Sequence, residues 1–152
     1  MSKIKFGVIG CGHIGKRHAT MVQLNEECEL IAVCDSADES SLDLADINVP
    51  FYTSAEEMLA DQPSIEVICV CSPNGLHAQH ASLSLDHHKH VVVEKPMGLS
   101  RANCEQLIFS ALNVSKNVFC VMQNRYSPPS IWLKDLVSSG KLGKIFQVQV
   151  NC

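Results

Sequence analysis

The stretch "VIGCGHIGKRHAT", residues 8–20, sets Gly10, Gly12 and Gly15 at the point where an apolar run gives way to a polar, helix-like one. Read as strand, turn and helix, this Gly-x-Gly-x-x-Gly spacing is a phosphate-binding turn. Gly10 permits the tight turn, Gly12 lets the backbone approach a pyrophosphate with no Cβ in the way, and Gly15 lets the helix pack closely on the strand. The start of the helix, at His13 and Ile14, then offers free N–H groups and the positive end of its dipole to the phosphates. Glycine-rich turns without such a role are common, so the surrounding sequence has to decide.

Outward from this turn, apolar runs alternate with helical patterns. "KIKFGVIG" (3–10) reads as a buried strand, "IGKRHATMVQL" (14–24) as an amphipathic helix and "CELIAVCD" (28–35) as a second strand. "ADESSLDLAD" (37–46) reads as a weak helix, "VPFY" (49–52) as a short strand, and "SAEEMLAD" (54–61) as a helix opened by a capping box of Ser54 and Glu57. "IEVICVCS" (65–72) is almost continuously apolar, as a strand covered on both faces must be. A helix over about 76–85, the strand "HVVVEKP" (90–96), a helix over about 101–113, the strand "VFCVMQ" (118–123) and a helix after Pro128-Pro129 follow. The last stretch, "GKIFQVQVNC" (143–152), alternates apolar and polar residues and reads as a half-exposed strand. The expected fold is α/β, a doubly wound and mostly parallel sheet with helices on both faces, over residues 1–126. The composition shift at the proline pair sets a border near Ser127, with residues 127–152 as a connecting helix and the start of something further.

In such a sheet, ligands sit outside the carboxyl ends of the strands. Asp35 closes the second strand twenty positions after Gly15, where an acidic residue reaches adenosine ribose hydroxyls; by itself it is an ordinary turn residue. A carboxylate there repels a 2′-phosphate, and Ser36 and Ala37 supply no arginine to pair with one, so NAD is expected over NADP. The next long strand ends in "CSPNGLH", where Ser72, Pro73 and Asn74 make a turn able to cap the following helix, with His77 in its first turn. "EKP" ends the strand after that. Glu94 and Lys95 emerging from an apolar strand must be paired or face a cleft, and Lys95 is the candidate proton-exchanging group. "QNRYSP" adds Gln123, Asn124 and Arg125 at the end of the sixth strand.

Composition narrows the remaining classes. Of 152 residues 46% are hydrophobic and 18% charged, the balance of a globular chain. No run approaches the roughly 18 apolar residues of a membrane span, and the N-terminus enters a strand without a leader, so a cytoplasmic protein without a membrane partner is expected. Twelve basic against sixteen acidic residues, with no basic stripe, argue against a nucleic-acid partner. Eight cysteines include no Cys-x-x-Cys; Cys34, Cys69, Cys71 and Cys120 lie in or at the end of apolar runs and read as reduced, buried thiols. His77 and His80 share a helix face that a metal can use, and His87, His88 and His90 form a second cluster, but a solvated polar turn accounts for the latter and no metal is expected.

Taken together, "GVIGCGHIGKRH", Asp35, "CSPNGLH", "VVVEKPMGLS" and "QNRYSPP" resemble the N-terminal, Rossmann-type domain of the Gfo/Idh/MocA oxidoreductase family over nearly the whole chain. The resemblance implies an NAD site lined by Gly10, Gly12, His13, Ile14, Asp35, Ser36, Ser72, Pro73, Asn74, His77, Glu94, Lys95 and Gln123. It implies that Lys95 is catalytic, beside the nicotinamide and the substrate hydroxyl, with Arg125 and Tyr126 toward the substrate; a structural ion pair is the other reading of Arg125. The implied reaction is hydride transfer between nicotinamide and a sugar or nucleotide-sugar hydroxyl. "QNRYSPP" and "SPNGLH" look most like the branch that oxidises nucleotide sugars such as UDP-N-acetylglucosaminuronic acid at C3, and an inositol or simple sugar is the alternative. Family members continue into a second, α+β domain that supplies much of the substrate pocket and a histidine to work with the lysine, and a homo-oligomer is expected of the full-length protein. "KIFQVQVNC" looks like that domain's first strand, so a truncated chain is expected, one that binds NAD without turnover.

Overall fold

The computed structural model describes residues 2–150. The chain divides into two compact units, Met1–Val121 and Met122–Cys152. The first unit holds a six-stranded, all-parallel sheet built from β1 (Ile4–Ile9), β2 (Cys28–Cys34), β3 (Phe51–Tyr52), β4 (Val67–Val70), β5 (His90–Val93) and β6 (Val118–Cys120). Their order across the sheet is β3-β2-β1-β4-β5-β6, so the winding reverses between β1 and β4. That switch point opens a crevice at the carboxyl ends of the strands.

Helices α1 (His13–Leu24), α2 (Ala55–Asp61), α3 (His77–Asp86) and α4 (Arg101–Asn113) connect the strands. Because successive strand residues point to opposite faces, the inner strands feed two cores. Ile9, Ala32, Ile68, Val70, Val91 and Val93 pack with Met58 and Leu59 of α2, Leu85 of α3 and Leu107 of α4. Val8, Leu30, Val33, Cys69 and Cys71 pack with Ala19 and Val22 of α1 and with Leu44 and Ile47. Ser54 caps α2, its hydroxyl accepting the Glu57 N–H at 3.4 Å, as the capping-box spacing implies. Ser100 caps α4 in the same way.

Four local expectations change. The 37–46 stretch forms only a 3-10 turn at Glu39–Ser41: Ser41 Oγ bonds the Asp38 carbonyl, Asp43 takes φ +50°, and such short polar side chains compete with helical bonding. Leu44 and Ile47 reach the core without it. The "HHKH" turn is not simply solvated, since Lys89 is buried with Nζ on the Pro63 carbonyl and His90 belongs to β5, its Nδ1 accepting from the Asn117 N–H. Cys120 is exposed because β6 is an edge strand. Residues 144–150 form no strand; Phe146, Val148 and Val150 stand exposed, and a strand needs a paired neighbour to be stable. The end of that expected strand, Asn151 and Cys152, lies outside the described residues.

In the second unit, a 3-10 turn at Gln123–Tyr126 leads into α5 (Pro128–Ser138), with Pro128 and Pro129 in the first turn where their missing N–H groups cost nothing. Ser127 Oγ joins the two elements, bonding the Asn124 carbonyl and Ser130 Oγ.

Candidate functional site

The three glycines of the first turn do different work. Gly10 sits at φ +93°, and a Cβ on it would lie 2.5 Å from the Ser72 backbone nitrogen and 2.6 Å from the Cys71 carbonyl carbon. β1 therefore passes the end of β4 too closely for any side chain. A Cβ on Gly15 would collide with the Gly10 carbonyl oxygen, which is why α1 can start so near the strand it follows. Gly12 has φ −65° and nothing within 4 Å of where its Cβ would stand. It is the N-cap of α1 with no side chain capping the helix, so the first-turn N–H groups face the open space left there. A hydrogen on Gly12 is required by nothing in the protein, whereas a bound pyrophosphate would require it.

One strand over, Asp35 is held rigidly. Its Oδ2 accepts the Cys11 N–H at 2.6 Å and its Oδ1 the Ala37 N–H at 2.9 Å, which ties the end of β2 to the glycine turn. Each carboxylate oxygen keeps further acceptor capacity. Asp35 and Ser36 line one side of a cleft of about 140 Å³, with Gly10 at its floor and Ser72, Pro73 and His80 opposite. This cleft lies over the carboxyl ends of β1, β2 and β4, beside the switch point.

The loop after β4 is braced by two histidines. Ser72 and Asn74 do not cap α3: no side chain does, and a 3-10 turn at Asn74–Leu76 runs into the helix instead. The Ser72 hydroxyl pairs with His80 Nδ1 at 2.9 Å. Burial, then the neighbouring His77, lowers the His80 pKa below its ordinary value. His77 is 1% exposed, with Nε2 2.7 Å from the Ser72 carbonyl and Nδ1 2.7 Å from the Pro96 carbonyl. His80 lines the cleft; His77 supports the loop from beneath.

At the end of β5, alternation separates the charged pair. Glu94 is 8% exposed while Lys95 faces solvent. The partner of the carboxylate is not the Lys95 ammonium but His18 of α1, whose Nε2 lies 3.0 Å from Oε1. Neither His18 nor His80 follows from the motifs. Helix period puts His18 on the same stripe as the buried Gly15, Ala19 and Val22, and a polar residue on that inner stripe is the signal that was there to read. Gln123, Arg125 and Tyr126 belong to the second unit, where they form the 3-10 turn before α5; Tyr126 is 79% exposed. Among the described residues no three of His, Cys, Asp and Glu group as metal ligands, and no helix is long and apolar enough to cross a membrane.

Burial lifts the pKa of the thiols around the glycine turn, Cys11 to about 12 and Cys34 to about 11, each further raised by Asp35. Burial likewise pushes Cys69 up to about 12 and Cys71 higher still. Cysteine beneath the site is a packing residue in its thiol form.

Comparison with known proteins agrees with this geometry. The profile of an oxidoreductase family with an NAD-binding Rossmann fold, Gfo/Idh/MocA, matches residues 4–122. The D-glucoside 3-dehydrogenase of Escherichia coli K12 is 30% identical over 149 residues, covering 95% of this chain and 42% of the relative. Inositol 2-dehydrogenase of Salmonella typhimurium is 27% identical over 150 residues, covering 95% and 44%. The WlbA dehydrogenase of Bordetella pertussis, solved with NADH and UDP-GlcNAcA, superposes with a TM-score of 0.86 at 29% identity, over 95% of this chain and 45% of that one. The chain thus spans less than half the length of the relatives it matches. With the family profile matched over residues 4–122 and the six-stranded parallel sheet of a Rossmann fold, the chain belongs to the Gfo/Idh/MocA oxidoreductase family and forms its NAD-binding Rossmann domain.

Proposed function

We propose that this domain serves an NAD-dependent dehydrogenase acting on a hydroxyl of a sugar or nucleotide sugar. The observation that carries the reading is the placement, at the carboxyl ends of β1, β2 and β5 of one parallel sheet, of an open seat at Gly12, the anchored carboxylate of Asp35 and the solvent-facing side chain of Lys95. The first-turn N–H groups at His13 and Ile14 would hold the pyrophosphate, and Asp35 with Ser36 the adenosine ribose. Asp35 gives the site its preference for NAD, because its charge is fixed where a 2′-phosphate would lie. Ser72 and Pro73 form the other wall of the cleft, with Asn74 in the same loop, which His77 braces from beneath without reaching the ligand.

When bound, nicotinamide supplies a hydride acceptor or donor. Lys95, as its neutral amine, receives the proton of the alcohol as the hydride leaves its carbon, and the resulting ammonium returns it in the reverse direction. Glu94 orients the peptide from which the lysine projects, its Oε2 accepting the Lys95 N–H. The family resemblance assigns Arg125 and Tyr126 to the substrate, the remaining pocket wall comes from a second domain like that of the longer relatives, and the full-length protein is a homo-oligomer. Support comes from relatives named as a D-glucoside 3-dehydrogenase and an inositol 2-dehydrogenase and from a dehydrogenase solved with NADH and UDP-GlcNAcA. UDP-N-acetylglucosaminuronic acid, oxidised at C3, is the first candidate here.

The decisive experiment joins this domain to its substrate domain and follows NADH absorbance against nucleotide sugars, inositols and free sugars. Turnover with one class and its loss in Lys95→Ala are expected; retained turnover in Lys95→Ala removes the lysine from the mechanism. Calorimetry should show that Asp35→Ala weakens NAD binding, and unchanged affinity would end the ribose assignment.

A further inference from the structure

The mechanism above leaves unexplained why a histidine of the glycine-turn helix is spent on the carboxylate of a distant strand. Glu94 stands 76 residues from His18, yet Oε1 and His18 Nε2 are 3.0 Å apart, with the two side chains only 10% and 18% exposed. A carboxylate so buried needs donors. It has two, the His18 ring N–H on Oε1 and the Lys95 backbone N–H on Oε2 at 3.3 Å. Among the groups that feel its charge are the Cys69 and Cys71 thiols of β4 and the Cys120 thiol of β6. None of these is a cation, and the Lys95 ammonium forms no ion pair among the described residues.

We infer that His18 is a positioning residue for Lys95: its Nε2–H holds the Glu94 carboxylate, and the carboxylate's second oxygen holds the peptide from which Lys95 projects. Helix α1 then fixes two things at once. Its first turn faces the phosphate seat, and its second turn sets the origin of the lysine, so the distance between cofactor and proton-handling group is gauged by one rigid element. The role rests on the proposed chemistry of Lys95, but the coupling of His18 to the lysine can be read without it.

The test uses the dehydrogenase with both domains and three variants. His18→Leu removes the donor, His18→Gln keeps an N–H within reach of Oε1, and Lys95→Ala serves as control. His18→Leu should keep NADH affinity within about threefold while kcat falls by about tenfold or more with little change in KM, since a small misplacement of a catalytic group carries penalties of this order. His18→Gln should restore most of kcat. Wild-type kcat in folded His18→Leu, or a folded His18→Gln no better than His18→Leu, overturns the assignment. Should His18→Leu fail to fold, nitrogen-15 NMR of the wild-type protein decides: a proton on His18 Nε2 and a displaced Lys95 amide resonance in Glu94→Gln are expected. A ring protonated on Nδ1 alone overturns the inference. Retained turnover in Lys95→Ala defeats the Lys95 chemistry, while the NMR result still reports whether His18 holds the lysine's peptide.

Discussion

Replacing Gly12 and Gly10 by alanine should separate a glycine kept for a ligand from a glycine kept for the fold. At Gly12 the backbone, φ −65° and ψ −169°, is open to any residue and the added methyl touches nothing within 4 Å. Two small terms remain. Alanine is a poorer N-cap than glycine, by up to about 1 kcal/mol, and it restricts the unfolded chain, a gain of about 0.4–1 kcal/mol. They nearly cancel, so Tm should stay within about 4 °C of wild type for a chain of this size. The methyl does occupy the space in front of the α1 N–H groups. Losing one charge-assisted hydrogen bond to phosphate costs about 1.5–3 kcal/mol, which weakens NADH binding roughly 10- to 150-fold. At Gly10 the same methyl meets backbone at 2.5–2.7 Å with φ at +93°, and backbone has no rotamer to escape into. Strain of this kind costs about 1–3 kcal/mol before β4 is displaced, so Tm should fall by about 4–12 °C. Thermal melts by circular dichroism and NADH fluorescence titrations on the two variants suffice. A Gly12→Ala protein that binds NADH like wild type, or that melts as early as Gly10→Ala, refutes the division of roles.

Two further measurements address the histidine and the thiols. Because burial holds the folded-state pKa of His80 below 6.5, the unfolded chain takes up a proton there first as pH falls, so this residue's support is complete above about pH 6.5 and drains away below it. The wild-type Tm should drop between pH 7 and 5 more steeply than that of His80→Gln, and parallel curves would contradict this. With pKa values of about 11 to 12, Cys11, Cys34 and Cys69 carry a thiolate fraction on the order of one in a thousand or less at pH 8. Iodoacetamide followed by peptide mass mapping should therefore spare those three until the protein unfolds while reaching Cys120, exposed on the edge strand; equal labelling would show that the sheet opens readily.

Much of this architecture is legible because parallel strands must be apolar on both faces. "IEVICVCS" and "HVVV" carry that signature, and the helix expected over 101–113 forms at Arg101–Asn113. Legibility fails where local chemistry and tertiary packing disagree. Residues 37–46 read as a weak helix, but the Ser41 hydroxyl bonds the Asp38 carbonyl, Asp43 takes a positive φ, and Leu42 and Leu44 dock without a helix. The alternation at 144–150 names a strand's faces and not the neighbour that would complete its ladder. At the site, spacing reveals glycines and Asp35 because their roles depend on neighbours in sequence. The His18–Glu94 contact depends on two elements 76 residues apart, and the grip of His80 on Ser72 on a turn whose hydroxyl looked like a helix cap.

The ring of His77 joins the carbonyls of Ser72 and Pro96 across two strand ends, and these belong to opposite halves of the site. A lineage drifting toward a different cofactor would alter the first loop, and one drifting toward a different substrate would alter the second. With one buried ring serving both, neither loop can be retuned alone: substitutions at the two ends should show strong epistasis, and the order in which they arise should matter.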